Sequence, residues 1–433
     1  MPARSSYPDD LPAAIRTWLP APFFSSWTLR RGLCWTPQRL VWLAILLVWS
    51  AEQTLADRFD AAVRLLRDWF PRWSLGDSYT GFSAALGRWS DTLQPAVAAR
   101  LRQQMARLPG RRLRHGWPAF AVDGSRVECP RTAANQAAFG CAGKKRTAPQ
   151  LFLTTLWDLG TGLPWDYRIG PGTASERRHL ESMLADLPAG ALVVADAGFV
   201  GYDLCQRILA SGRSFLLRVG ANIQLLRELG AVVDEDEATV YLWPGNRRCQ
   251  PPLVLRLIVL PGDKKGKVYL LTNVRDEAAL SDTAAAELYR LRWGVEVFYR
   301  GCKQTLQRRK MLSRAPAQAK AELGWTLVGV WLLGLMSVSA ILAAGGDPLS
   351  WSVALARKTV RRAMRPTGGS RRQPPLQEQL AAATQDEYER RGSKQARDWP
   401  HKKREKGPGA PKIRAATADE VQRATRFQSK RAA

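Results

Sequence analysis

The densest concentration of potential chemistry lies between Tyr289 and Leu306, in the stretch YRLRWGVEVFYRGCKQTL. On a helix advancing about 100° per residue, Tyr289, Arg292, Glu296, Arg300 and Lys303 fall within an arc of roughly 80°. Leu288, Leu291, Val295, Phe298, Cys302 and Leu306 fall on a separate arc of similar width. One face therefore belongs to a core, and the other presents a single carboxylate among cations. A solvated charged face mixes signs at i,i+4 along its length. Here one glutamate sits among Arg292, Arg300 and Lys303, which suits a metal-bound carboxylate flanked by phosphate contacts. Taken alone, the same face also suits an ion-pair network.

Two aspartates narrow the choice. Asp123 ends the apolar run of PAFAVDGS, and Asp196 ends that of ALVVADAGF. Each follows a strand of buried type and precedes small residues (Gly124 and Ser125; Ala197 and Gly198). Either alone reads equally as a turn cap. Together with Glu296 they offer three hard oxygen donors on separate rigid elements. Such donors suit Mg²⁺, which keeps waters and phosphate oxygens in its shell. Two such ions clamp the attacking and leaving oxygens of an in-line phosphoryl displacement.

The elements that must hold these acids are legible in the pattern. Residues 1–115 read as helical, with i, i+3, i+4 apolar spacing around 61–70 and Arg-rich surface around 98–114. From Trp117 three short strands follow in succession, as in a meander. A helix over 175–187 with Ser175 as N-cap, the ALVVADAGF strand, a helix over 202–210 and the SFLLRVG strand complete a β-β-β-α-β-α-β order. Residues 221–275 read as all-β, and a helix runs from near Ser281 past Lys303. Leu323–Gly346 carries no charge and is long enough to span a bilayer, or to be the buried helix of a large core. Beyond Arg365 the chain turns to Pro, Gly, Gln and basic residues and reads as mostly disordered.

The bulk numbers point to a polyanion. The 433 residues hold 65 Lys+Arg against 38 Asp+Glu, a formal charge of +27. An excess of that size favours nucleic acid as partner, or an anionic membrane surface. None of the six cysteines forms a C-x-x-C pair, which excludes a zinc ribbon and fits a reducing cytosol. The acidic N-terminus lacks a signal-peptide plan. His115, His179 and His401 are too scattered for a metal cluster, and no G-x-S-x-G or P-loop motif occurs. Glu128 and Asp158 match no part of the pattern, and Asp203 reads as surface.

The spacing Tyr289-x2-Arg292-x3-Glu296-x6-Lys303 resembles the Tyr-Arg-Glu-Lys signature of the insertion-sequence family-four transposases. Asp123-Gly124-Ser125 resembles that family's first catalytic block and VVADAGFVGYD its second. The resemblance covers roughly 117–346. It implies an α/β fold: a ribonuclease-H-like catalytic core in two parts (116–220 and 276–350), with an all-β insertion (221–275) filling the 100 residues between Asp196 and Glu296. An N-terminal helical, DNA-end-binding domain (1–115) and a basic, partly disordered C-terminal region (351–433) flank it. It makes 323–346 a core helix, not a membrane span. It implies that Asp123, Asp196 and Glu296 ligate Mg²⁺, with Mn²⁺ as a substitute, and that Tyr289, Arg292 and Lys303 hold DNA phosphates. Arg300 shares their face outside the motif. In such relatives a Trp of the insertion stacks on a flipped-out base; Trp243 is the matching position here, with sheet core or surface as its other reading.

The implied activity is cut-and-paste transposition: cleavage at terminal inverted repeats, then transfer to target DNA, by a homodimer in the bacterial cytoplasm, at the nucleoid. Two rivals are a transposase-derived DNA-binding protein without catalysis, and a basic membrane-associated protein using 323–346 as a span.

Overall fold

A computed structural model of the chain describes residues 11–27, 32–108, 113–142, 148–232, 234–262, 266–365, 374–385 and 408–432. Four helices come first: α1 (Leu11–Trp18), α2 (Pro37–Trp49), α3 (Leu55–Trp69) and α4 (Tyr79–Ala106). α2 starts where Thr36 accepts a bond from the Arg39 N–H and Pro37 takes the first helical position. From Leu40 to Trp49 α2 carries no charge, and every side chain in that run is buried. α3 is amphipathic and buries only Arg58, Phe59, Ala62, Val63 and Leu66.

The sheet begins with β1 (Ala119–Glu128). After α5 (Ala133–Phe139), β2 (Gln150–Asp158) and β3 (Leu163–Pro171) complete an antiparallel meander. Next come α6 (Glu176–Met183), β4 (Leu192–Ala195), α7 (Tyr202–Ala210) and β5 (Ser214–Val219). β4 pairs parallel to β1, and β5 parallel to β4. The β-rich segment supplies β6 (Gln224–Arg227), β7 (Thr239–Leu242), β8 (Leu253–Pro261) and β9 (Lys267–Thr272). It continues the same sheet, because β9 pairs antiparallel with β5.

After α8 (Asp282–Leu291) and α9 (Trp293–Arg300), a π-helical turn covers Gly301–Thr305. Then follow α10 (Pro316–Ala343), α11 (Val353–Ala363), α12 (Leu376–Ala381), β10 (Lys412–Ala415) and α13 (Ala418–Ala432). The sheet runs β10-β6-β7-β8-β9-β5-β4-β1-β2-β3. The disorder expected of the tail is therefore corrected where the structure describes it. β10 lies parallel on β6, and α13 docks through the buried Ala424 and an Arg248–Glu420 ion pair at 2.6 Å. His401, and the tail between 386 and 407, lie outside the described residues.

α10 is the spine. It is long and apolar enough to cross a membrane, with an 18-residue window of mean hydropathy 2.1, yet 89% of that window is buried inside the protein. α2, α4 and α12 pack around it. Close approach rests on glycine: a Cβ on Gly329 would stand 2.9 Å from Val48 Cγ1. The gap this leaves lets Trp49 Nε1 donate to the Gly329 carbonyl at 2.9 Å.

Candidate active site

The two aspartates meet because of strand register. β1 pairs with β4 over four residues, ending at Val122 beside Ala195. Asp123 and Asp196 are the next residue on each strand, so they sit side by side at the carboxyl ends of a parallel pair. There strand ends open into a crevice. Asp123 does not end its strand, as the sequence suggests. β1 runs on to Glu128 because its other edge stays paired to β2. Asp196 does leave the sheet, and caps a short 3₁₀ turn by accepting from the Ala197 N–H at 2.8 Å.

The third acid comes from a helix that is less regular than its sequence. Ser281 caps α8, accepting from the Ala284 N–H at 3.2 Å. The ladder is interrupted at Arg292, where the Val295 N–H bonds back to the Arg292 carbonyl at 3.2 Å. At its far end the π turn lengthens the ladder, with the Leu306 N–H on the Gly301 carbonyl at 3.1 Å. Single π turns of this kind frequently mark functional sites. The apolar arc is buried at Leu288, Val295, Phe298, Cys302 and Leu306.

The polar arc divides. Tyr289 Oη donates to Asp196 Oδ1 at 3.2 Å. Arg292 Nη2 donates to Glu296 Oε1 at 3.3 Å. Lys303 Nζ donates to Ser125 Oγ, two residues past Asp123, at 2.7 Å. Arg292 is the hub. Burial works against its charge, but Tyr289, Asp196, Asp123 and Glu296 more than offset that and raise its pKa. One guanidinium thus feels all three acids. Its Nε is buried without a hydrogen-bond partner. Burial pushes the Asp123 carboxyl up to about 6; the Gly124 N–H and Arg292 pull it down, while Glu296 and Glu176 push it further up. Burial likewise lowers the Lys303 ammonium.

Arg300 and Trp243 stand outside this group, and for Trp243 the sheet-core reading holds. The π turn follows Arg300 and swings Lys303 toward β1. Arg300 is left exposed, lining a separate hollow of about 430 Å³ with Trp157, Phe298 and Trp351. Trp243 is 2% exposed. Its Nε1 donates to the Gln250 carbonyl at 2.7 Å, Arg248 lies over its ring at 4.2 Å, and Phe427 of α13 meets its edge. Its burial leaves no exposed ring face for a base to stack on. Of the other residues, His115 pairs with Glu287, His179 with Thr154 and Asp203 with Arg247.

Glu176 is the residue the sequence reading passes over. Its carboxyl is raised by burial, opposed by Arg177 and Arg126, with Asp196 adding to the rise. A signal existed: Gly124 and Gly198, close behind the two aspartates, mark places where another group approaches the backbone.

Three carboxylates act electrostatically on the Arg292 guanidinium, and carboxylate oxygen is the donor type a hard divalent cation takes. Among the described residues, no three His, Cys, Asp or Glu side chains close by themselves into a metal shell.

A parallel strand pair carrying two aspartates at its open end is faced by a helix with one glutamate. Residues 115–332 match the transposase DDE domain family, and the chain belongs to it. The insertion-sequence family-four resemblance read from the Tyr-Arg-Glu-Lys spacing stands with that match. The chain is 28% identical over 228 residues to the transposase InsG for insertion sequence element IS4 of Escherichia coli (strain K12), covering 49% of this chain and 50% of that protein. It thus spans about half the length of this curated relative. A solved piggyBac transposase synaptic complex with hairpin DNA aligns at TM-score 0.42 and 13% identity, over 88% of this chain and 84% of that one. That likeness is too slight to carry an argument.

Proposed function

We propose that the chain is a cut-and-paste DNA transposase. It cleaves strands at its element's terminal inverted repeats and joins the freed ends to target DNA. The observation that carries this reading is Arg292, whose single guanidinium lies within electrostatic reach of Asp123, Asp196 and Glu296. Acids distant in sequence converge there on one cationic helix face. The order β3-β2-β1-β4-β5, with β4 and β5 parallel to β1, supports a ribonuclease-H-like core. β6–β9 would then be the insertion, and α1–α4 the basis of an end-binding domain.

In this reading Asp123, Asp196 and Glu296 hold Mg²⁺, or Mn²⁺ in its place. When bound, such ions activate water and neutralise charge on the scissile phosphate. Tyr289, Arg292 and Lys303 hold phosphate oxygens. The buried, unpartnered Nε of Arg292 is a donor waiting for such an acceptor. Water adds at phosphorus, the 3′ oxygen leaves, and the freed 3′-OH then displaces a 3′ oxygen in target DNA. The protein supplies ligands and no nucleophile, so no covalent enzyme–DNA intermediate forms. A homodimer acting in the bacterial cytoplasm at the nucleoid completes the proposal, and the +27 charge of the chain supports a polyanionic partner.

The test is Glu296→Gln. It keeps shape and removes the ligand charge, so labelled duplexes carrying the element ends should still be bound and no longer cut, a loss of at least ~10²-fold. Cutting at the wild-type rate in Mg²⁺ would sink the reading. Failure of wild type itself to cut, with ends still bound, would leave a DNA-binding protein.

A further inference from the structure

One helix start grips both aspartate-bearing segments without belonging to the triad. α6 begins with Glu176 and Arg177, whose side chains serve different neighbours. Arg177 Nε donates to the Gly198 carbonyl at 2.7 Å, and its Nη2 to the Val200 carbonyl at 2.9 Å. Both carbonyls belong to the turn that follows Asp196. Glu176 occupies the space between the two aspartate segments. A Cβ on Gly124 would stand 3.0 Å from Glu176 Oε2, and one on Gly198 would stand 2.7 Å from Glu176 Oε1. One carboxylate thus lies against the backbone just after Asp123 and, on its other side, against the turn just after Asp196.

The Asp196 turn needs such a hold. β4 ends at Ala195, so from Asp196 onward no sheet pairing fixes the backbone. The three-residue 3₁₀ turn is held locally by the Phe199 N–H on the Asp196 carbonyl at 3.0 Å, a long Val200 N–H bond to the Ala197 carbonyl at 3.4 Å, and the Ala197 N–H on the Asp196 carboxylate at 2.8 Å. Two charge-assisted bonds from one planar guanidinium supply the missing constraint. Arg126 also acts electrostatically on Glu176, and is itself fixed by a bond to the Gly172 carbonyl at 3.1 Å and by lying over the Phe152 ring.

We propose that Glu176 and Arg177 are positioning residues that set the separation of the Asp123 and Asp196 carboxylates: Arg177 anchors the turn, and Glu176 spaces it from β1. This rests on the reading of those aspartates as ligands for divalent cations. Groups that orient metal ligands typically change metal affinity or activity 10–100-fold when removed.

The test uses the full chain with Arg177→Ala and Glu176→Ala, and Mn²⁺ as probe. Mn²⁺ binding is followed by electron paramagnetic resonance on metal-free protein, and the Mn²⁺ dependence of end cleavage in parallel. Each substitution should raise the half-saturating Mn²⁺ concentration about 10- to 100-fold in both measurements. End binding in a gel shift should not move, and excess Mn²⁺ should restore most of the rate. Arg177→Lys, which reaches one carbonyl at a time, should fall between Ala and wild type. If a truncation does not fold, Arg177→Lys and Glu176→Asp, which shortens the spacer, carry the same comparison. Wild-type Mn²⁺ curves, or a lower rate at saturating Mn²⁺ without a shifted midpoint, overturn the proposal. If those results accompany an inactive Glu296→Gln, only the positioning role has failed. If Glu296→Gln cuts normally, the metal-site reading beneath it has failed.

Discussion

Two consecutive helical stretches show what function costs a fold. Residues 316–343 form one uninterrupted helix, α10, with no charge after Glu322 and near-complete burial from Leu323 to Ile341. Residues 282–305, just before it, are broken at Arg292 and end in a π turn. They bury a guanidinium with an unpartnered Nε and face a carboxyl that burial has pushed up to about 6. α10 follows most local rules for a core helix, although Trp331 Nε1 is also buried without a hydrogen-bond partner. The stretch before it violates several, and the violations gather where three acids and Tyr289 converge. Conflict between local preference and final geometry is expected at sites kept for chemistry.

The contrast predicts opposite responses to substitution. The largest effect on stability belongs to α10. Trp331 is 0% exposed, and Trp331→Ala should cost about 3–5 kcal/mol, read as a fall in the denaturant midpoint. A loss below ~1 kcal/mol would mean that the spine tolerates cavities and the contrast is false. A smaller effect is expected at Gly329. There Leu must displace Val48 or spread α2 from α10, costing about 1–3 kcal/mol. Strand cleavage per folded molecule should not change, because Gly329 packs against Val48 of α2, which carries none of the acids. Cleavage falling faster than the folded fraction would couple the spine to the site and blur the comparison.

How much of this was readable in the chain divides along the same line. α10 was legible from its charge-free run, and Glu296 from helical spacing that survives the break at Arg292. Asp196 was legible because an apolar run stops there. What escaped depends on contacts between remote segments. Glu176 and Arg177 begin a short amphipathic helix with nothing unusual in its pattern; their role exists only once Gly124 and Gly198 close around them. β10 and β6 are four-residue strands, paired across some 190 positions by the 412–224 register, and neither makes a signal alone. Trp243 beside Pro244 gave no hint that Phe427 and Arg248 would enclose it. Lys303 turned to Ser125 because it lies within a π turn that begins just after Arg300 and is invisible to a constant 100° per residue.

The smallest effect, and the most telling, is at Asp123. Burial raises its carboxyl to about 6 in the folded chain, against an ordinary value near 4 when unfolded. The sign follows from linkage. Stability associated with this group is fully present below about pH 4, where both states are protonated, and is lost as pH rises through about 6, where the folded chain must hold a desolvated charge. Asp123→Asn removes that charge and nearly preserves shape. Without divalent cation, the variant should therefore be more stable than wild type at pH 7–8 by about 1–2 kcal/mol. The advantage should vanish as pH falls toward 4, and cleavage should be lost. Denaturant melts of both proteins across that range measure it. Equal stability at every pH would mean that Asp123 bears no strain in the resting fold. A variant stabilised and inactive would place the site on the opposite side of the ledger from α10, where every truncation should only weaken the protein.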